Sequence, residues 1–113
     1  PDDTINNMVD KFILRKNLMC DGLKKIPGIK FIEPKSGFFV FPNVEETGMN
    51  GDQFAEKCLN EFGVALIQGT AFGKFSVNNV RINFTTSEEN ISQALNNIGK
   101  IILLVFLIKT VLT

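Results

Sequence analysis

Asn79-Val80-Arg81-Ile82-Asn83-Phe84-Thr85-Thr86-Ser87 is the stretch whose reading decides the fold. Val80, Ile82 and Phe84 alternate with Arg81, Asn83 and Thr85, the two-residue period of a strand with one buried face. The strand runs straight into a helix start, where Thr86 with Glu89, or Ser87 with Asn90, supplies the cap. Arg81 therefore projects from the face opposite the three apolar side chains. An arginine fixed there beside a short amide can offer two parallel N–H groups to a carboxylate or phosphate. It can equally stay solvated on the open face of an antiparallel sheet, and spacing alone favours that plainer reading.

Downstream, Ile91, Ala94, Leu95, Ile98 and Ile102 form the apolar stripe of a last helix. Residues 101–113 then break the pattern, because Ile101 to Ile108 is apolar on every helical face before Lys109. That run is too short for a membrane span, which needs about 20 residues. It reads as a buried extension of the last helix, and exposed it would be an aggregation hazard.

Upstream, about Asp3 to Lys25 reads as one amphipathic helix, with Ile5, Met8, Val9, Phe12, Met19, Leu23 and Ile26 at three- and four-residue steps. Ile26-Pro27-Gly28 stops it. A short strand over Ile29–Glu33, turn residues at Pro34-Lys35-Ser36-Gly37 and a second strand over Phe38–Phe41 predict a hairpin. The unbroken run Phe38-Phe39-Val40-Phe41 predicts a strand covered on both faces. Asn50 and Gln53 have the spacing of a capping box for a helix whose stripe is Phe54, Cys58, Leu59 and Phe62, ended by Gly63. Val64 to Ile67 is a further short strand. The loop Gln68 to Gly73 matches neither phosphate-cradle spacing. The order helix, two strands, helix, short strand, strand, helix gives an α+β domain, a small, mostly antiparallel sheet packed with helices.

Composition narrows the function. At 113 residues the chain is one domain's worth, with 44% hydrophobic and 21% charged residues. Twelve basic and twelve acidic residues balance, which argues against a nucleic-acid partner. No histidine is present, so the commonest acid–base catalyst and metal ligand are both missing. Cys20 and Cys58 fall in apolar helical patterns and read as buried thiols, with a disulfide still open. No signal or transit segment is evident, so the expected compartment is cytoplasmic. A first residue of Pro1 predicts a processed or excised segment.

Several phrases then stand in register: Phe12 and Arg15 with Leu23 running into Ile26-Pro27-Gly28, then Pro34 to Val44, Phe62-Gly63-Val64-Ala65-Leu66, Gly69-Thr70-Ala71-Phe72-Gly73, and Arg81 to Ser87. From about Ile5 to Ile98 the chain resembles the C-terminal small domain of class I/II pyridoxal-phosphate-dependent aminotransferases, the aspartate-aminotransferase-like enzymes of fold type I. The domain expected is residues 1–100, with 101–113 an apolar tail lacking a family counterpart. The resemblance implies that Arg81 clamps the α-carboxylate of the substrate and that Phe39 lines the substrate pocket. It implies that the Gly69–Gly73 loop lies beside the active-site mouth. The family usually has proline where this chain has Gln68.

The resemblance also implies what lies elsewhere. The cofactor lysine and the groups that hold pyridoxal 5'-phosphate belong to a large domain missing here, and none of these lysines sits in a matching context. Catalytic, cofactor-binding and metal residues are therefore expected to be absent from this chain, and the segment alone is expected to be inactive. In the full-length enzyme the implied reaction moves an amino group between an amino acid and a 2-oxo acid, in a homodimer, with no membrane partner. The alternative is a stand-alone, non-catalytic interaction module of the same fold. An RNA-binding reading of Lys35 to Phe41 is weaker, since the small residue usually found between the stacking aromatics is absent.

Overall fold

The computed structural model describes residues 2–35, 37–62 and 66–112. Helix α1 spans Asp2–Lys24 and strand β1 Phe39–Val40. Helix α2 spans Gly51–Phe62, β2 Ile67–Gln68, β3 Val80–Asn83 and α3 Glu88–Leu112, with short 3-10 turns between. The three strands form an antiparallel sheet in the order β1-β3-β2, so the opening stretch is its central strand. This is the α+β architecture expected.

The inner face of the sheet carries the core. Val80, Ile82 and Phe84 are buried, as their alternation requires, and Val40 from β1 joins them. Met19 and Leu23 of α1, Phe54 and Cys58 of α2, and Ile91, Ile98 and Ile101 of α3 complete a single apolar cluster. All three helices thus cover one face, and the opposite face stays open. Both cysteines are buried and free.

The helix starts follow local chemistry. The Asn50 amide donates to Gln53 Oε1 at 3.0 Å and the Gln53 amide to Asn50 Oδ1 at 2.8 Å, both halves of the capping box. Of the two caps open for α3, the Ser87 one forms: Ser87 Oγ accepts from the Asn90 amide at 3.1 Å. The Gly63 stop and residues 64–65 of the predicted third strand lie outside the described residues.

Four local expectations need correction. The strand over Ile29–Glu33 shrinks to one bridge, Lys30 with Asn43, and Ile32 is 90% exposed, because no second strand flanks it. The Phe38–Phe41 strand is not covered on both faces: Val40 is buried on one, whereas Phe39 on the other is 43% exposed. In α1 the apolar stripe is half used: Met19 and Leu23 are buried, whereas Ile5, Met8 and Val9 are largely exposed. Leu59 of α2 is exposed as well, and Ala55 takes its place in the core. Helix α3 runs on through residue 100. Its Ile101 and Ile102 are buried, and Leu103, Leu104 and Leu107 are exposed.

Candidate functional site

The open face of the sheet is where period-two alternation sends Arg81. Register decides its neighbours. Ile67 of β2 lies directly opposite Arg81, and Phe39 of β1 lies opposite Asn83, hence diagonal to Arg81. The guanidinium carbon of Arg81 sits over the Phe39 ring, 4.8 Å from its centroid. At that distance the ring quadrupole attracts the cation and its flat face limits guanidinium tilt. Arg81 is half-buried, with Phe39 and Ile67 more open. The two residues singled out from sequence therefore stand together as one unit. A planar fork of N–H donors on an aromatic platform suits a carboxylate.

Asn83, the amide beside Arg81, is occupied locally. Its Oδ1 accepts from the Thr85 amide at 2.6 Å and from the Thr85 hydroxyl, closing the turn between β3 and α3. It ends the strand rather than joining the arginine's grip.

The loop after β2 is fastened to the same strand. The Gly69 amide donates to the Asn79 carbonyl at 2.7 Å, and a Cβ on Gly69 would stand 2.2 Å from the Ser76 oxygen. Only glycine admits that approach. Gly51 is confined in the same way, its notional Cβ 2.1 Å from the Asn79 oxygen. Thr70 Oγ1 donates to Asp52 Oδ1 at 2.8 Å, tying the loop to the first turn of α2. Gln68 has φ −65°, the value a proline ring would impose, so its backbone takes a path open to proline.

Sequence reasoning missed Ile67 and the Thr70–Asp52 tether. Both depend on strand register and loop path, for which local spacing carries no signal. Among the described residues no group of three His, Cys, Asp or Glu side chains could hold a metal ion. No helix among them is long and apolar enough to cross a membrane. Every lysine whose side chain is described is exposed or half-exposed, and Lys30 is held above its ordinary value by its hydrogen bond to Glu46. A lysine meant to hold a carbonyl cofactor needs an amine desolvated into its neutral form. The described residues of this chain therefore do not fit pyridoxal phosphate.

A family model, aminotransferase class I and II, matches residues 1–98. The chain is 41% identical over 96 residues to an aspartate aminotransferase of Pyrococcus horikoshii, covering 85% of this chain and 25% of that protein. It is 41% identical over 91 residues to an aspartate aminotransferase of Thermotoga maritima, covering 80% and 22%. Among solved structures, an alanine aminotransferase from Pyrococcus furiosus superposes with TM-score 0.83 at 26% identity, over 90% of this chain and 26% of that one. An aromatic aminotransferase from Pyrococcus horikoshii gives TM-score 0.81 at 29% identity, over 88% and 26%. The chain spans about a quarter of the length of the relatives it matches.

Proposed function

The chain belongs to the class I and II aminotransferase family, and we propose that it supplies the substrate-carboxylate clamp of a pyridoxal-phosphate-dependent aminotransferase. The observation that carries this reading is the Arg81 guanidinium laid on the Phe39 ring on the open sheet face. Arg81 takes both oxygens of the α-carboxylate of an amino acid or 2-oxo acid, and Phe39 forms the adjoining wall. The two-point grip removes rotation about the bond to the carboxyl carbon and so orients the substrate Cα. Closing the open face over bound substrate excludes water and strengthens that pair.

Pyridoxal phosphate supplies the electron sink for amino-group transfer in such enzymes. Its holding groups are assigned to a separate large domain, in a homodimer, and the segment alone is inactive. Residues 1–100 form the domain, with 101–113 an apolar tail whose first two residues, Ile101 and Ile102, enter its core.

The test is Arg81→Ala in the full-length enzyme that carries this segment. Losing the partner of a desolvated carboxylate costs roughly 2–5 kcal/mol of transition-state binding, read as a fall in kcat/KM. Arg81→Lys keeps charge without the fork and recovers only part of the loss. Unchanged kcat/KM for the amino acid in Arg81→Ala would refute the assignment.

A further inference from the structure

On the helix side of the sheet, away from Arg81, lies a cavity of about 260 Å³ between the N-terminal half of α1 and the end of β3. Met8, Phe12, Phe38 and Phe84 make its apolar walls, and among the described residues Lys11 and Arg15 are its charged lining. Phe12 packs edge-on against Phe38 at 5.9 Å and against Phe84 at 5.5 Å. Arg15 Nε is buried with no hydrogen-bond partner among the described residues. A buried N–H left unpaired is costly, and an arginine at a cavity wall gains most from an ionised acceptor. Lys11 stands one helical turn before Arg15, a like-charge spacing that disfavours the helix unless an anion lies between. Among the described residues neither makes an ion pair.

We propose that this cavity binds a carboxylate carried on an apolar stem. Arg15 and Lys11 hold the carboxylate, and the three phenylalanines with Met8 enclose the stem. A monoanion fits better than a phosphate, whose greater charge and additional acceptors these apolar walls cannot satisfy. The chemistry is shared by a free aliphatic acid and by an acidic side chain of a polypeptide laid along α1. The site does not depend on the role proposed for Arg81.

Titration of the 113-residue chain, followed by the NMR signals of the Phe12 and Phe38 rings and Arg15 Nε–H, tests the assignment. Hexanoate is expected to bind about tenfold more tightly than hexanamide, the size of one charge-assisted hydrogen bond. Arg15→Gln is expected to erase that preference, Arg15→Lys to keep part of it, and Arg81→Gln to leave it intact. The capped peptide acetyl-Leu-Glu-Leu-amide separates the two sources. Tighter binding than hexanoate assigns a polypeptide side chain, and weaker binding assigns a free acid. Equal binding of acid and amide, no saturable shift with any of the three ligands, or a preference lost in Arg81→Gln but kept in Arg15→Gln would each overturn the proposal.

Discussion

The two faces of β3 are built from alternate residues of one short strand, yet different forces fix them. Val80, Ile82 and Phe84 point inward and are held by a closed set of contacts with the three helices. Arg81 and Asn83 point outward, where Asn83 is tied to Thr85 and Arg81 rests on Phe39. The inner face stabilises the domain. The outer face carries a cation on an aromatic platform, an arrangement that adds little to stability. A strand can thus serve folding with one set of side chains and chemistry with the other, provided that the sets do not exchange.

That separation breaks most visibly at Phe84. Truncating this buried ring to alanine removes its contacts with Phe12 and opens a cavity beneath β3. The expected loss is about 3–5 kcal/mol of unfolding free energy, measured by urea denaturation of the isolated segment. Arg81→Ala in the same assay should cost no more than about 1 kcal/mol, the scale of an exposed cation–π contact. Comparable losses at the two positions would mean that Arg81 is a structural residue. A large loss at Phe84 alone, together with the kinetic loss expected at Arg81, would keep the two faces distinct.

Phe39 tests the outer face more finely. Leucine there keeps an apolar surface and removes the ring beneath the guanidinium, whose attraction is worth about 0.5–1 kcal/mol at an exposed site. In the full-length enzyme, Phe39→Leu is expected to lower kcat/KM for the amino acid by roughly two- to fivefold, with stability nearly unchanged. Phe39→Tyr, which keeps a π face, should stay near the parent. If leucine and tyrosine behave alike, the ring is only a wall of the pocket and does not position Arg81.

What was legible in the sequence follows the reach of the forces involved. The inward and outward sets of β3 and the Asn50–Gln53 box are set by residues two or three apart, and both appear as read. The stack of Arg81 on Phe39 requires β1 to pair with β3 in one register, across more than forty residues, and spacing carries no such information. The family resemblance named the same two residues because it brings that register with it. Apolar periodicity states that a face needs cover without saying what provides it. The stripe of α1 is continuous, yet Leu23 meets the sheet and Ile5 does not. The run Phe38–Phe41 similarly promised cover on both sides, yet Phe39 is exposed.

A last predicted effect belongs to the buried side, at Cys20 of α1. Burial pushes the Cys20 thiol above its ordinary value of 9.0, and the nearby Glu33 carboxylate adds to the shift. The folded chain therefore keeps its thiol proton at pH values where the unfolded chain has released it. With more protons bound in the folded state, unfolding free energy falls as pH rises. The decline should begin near the unfolded thiol's pKa of 9.0 and continue up to the raised folded value. It is absent below that window, where both states are neutral. Urea midpoints at pH 7.5 and pH 10, compared between the parent and Cys20→Ala, isolate the contribution, because alanine cannot titrate. Each pH unit inside the window contributes at most about 1.4 kcal/mol. A parent and a Cys20→Ala variant that lose stability equally would mean that the thiol is open to solvent, and that the core beneath α1 is looser than its packing implies.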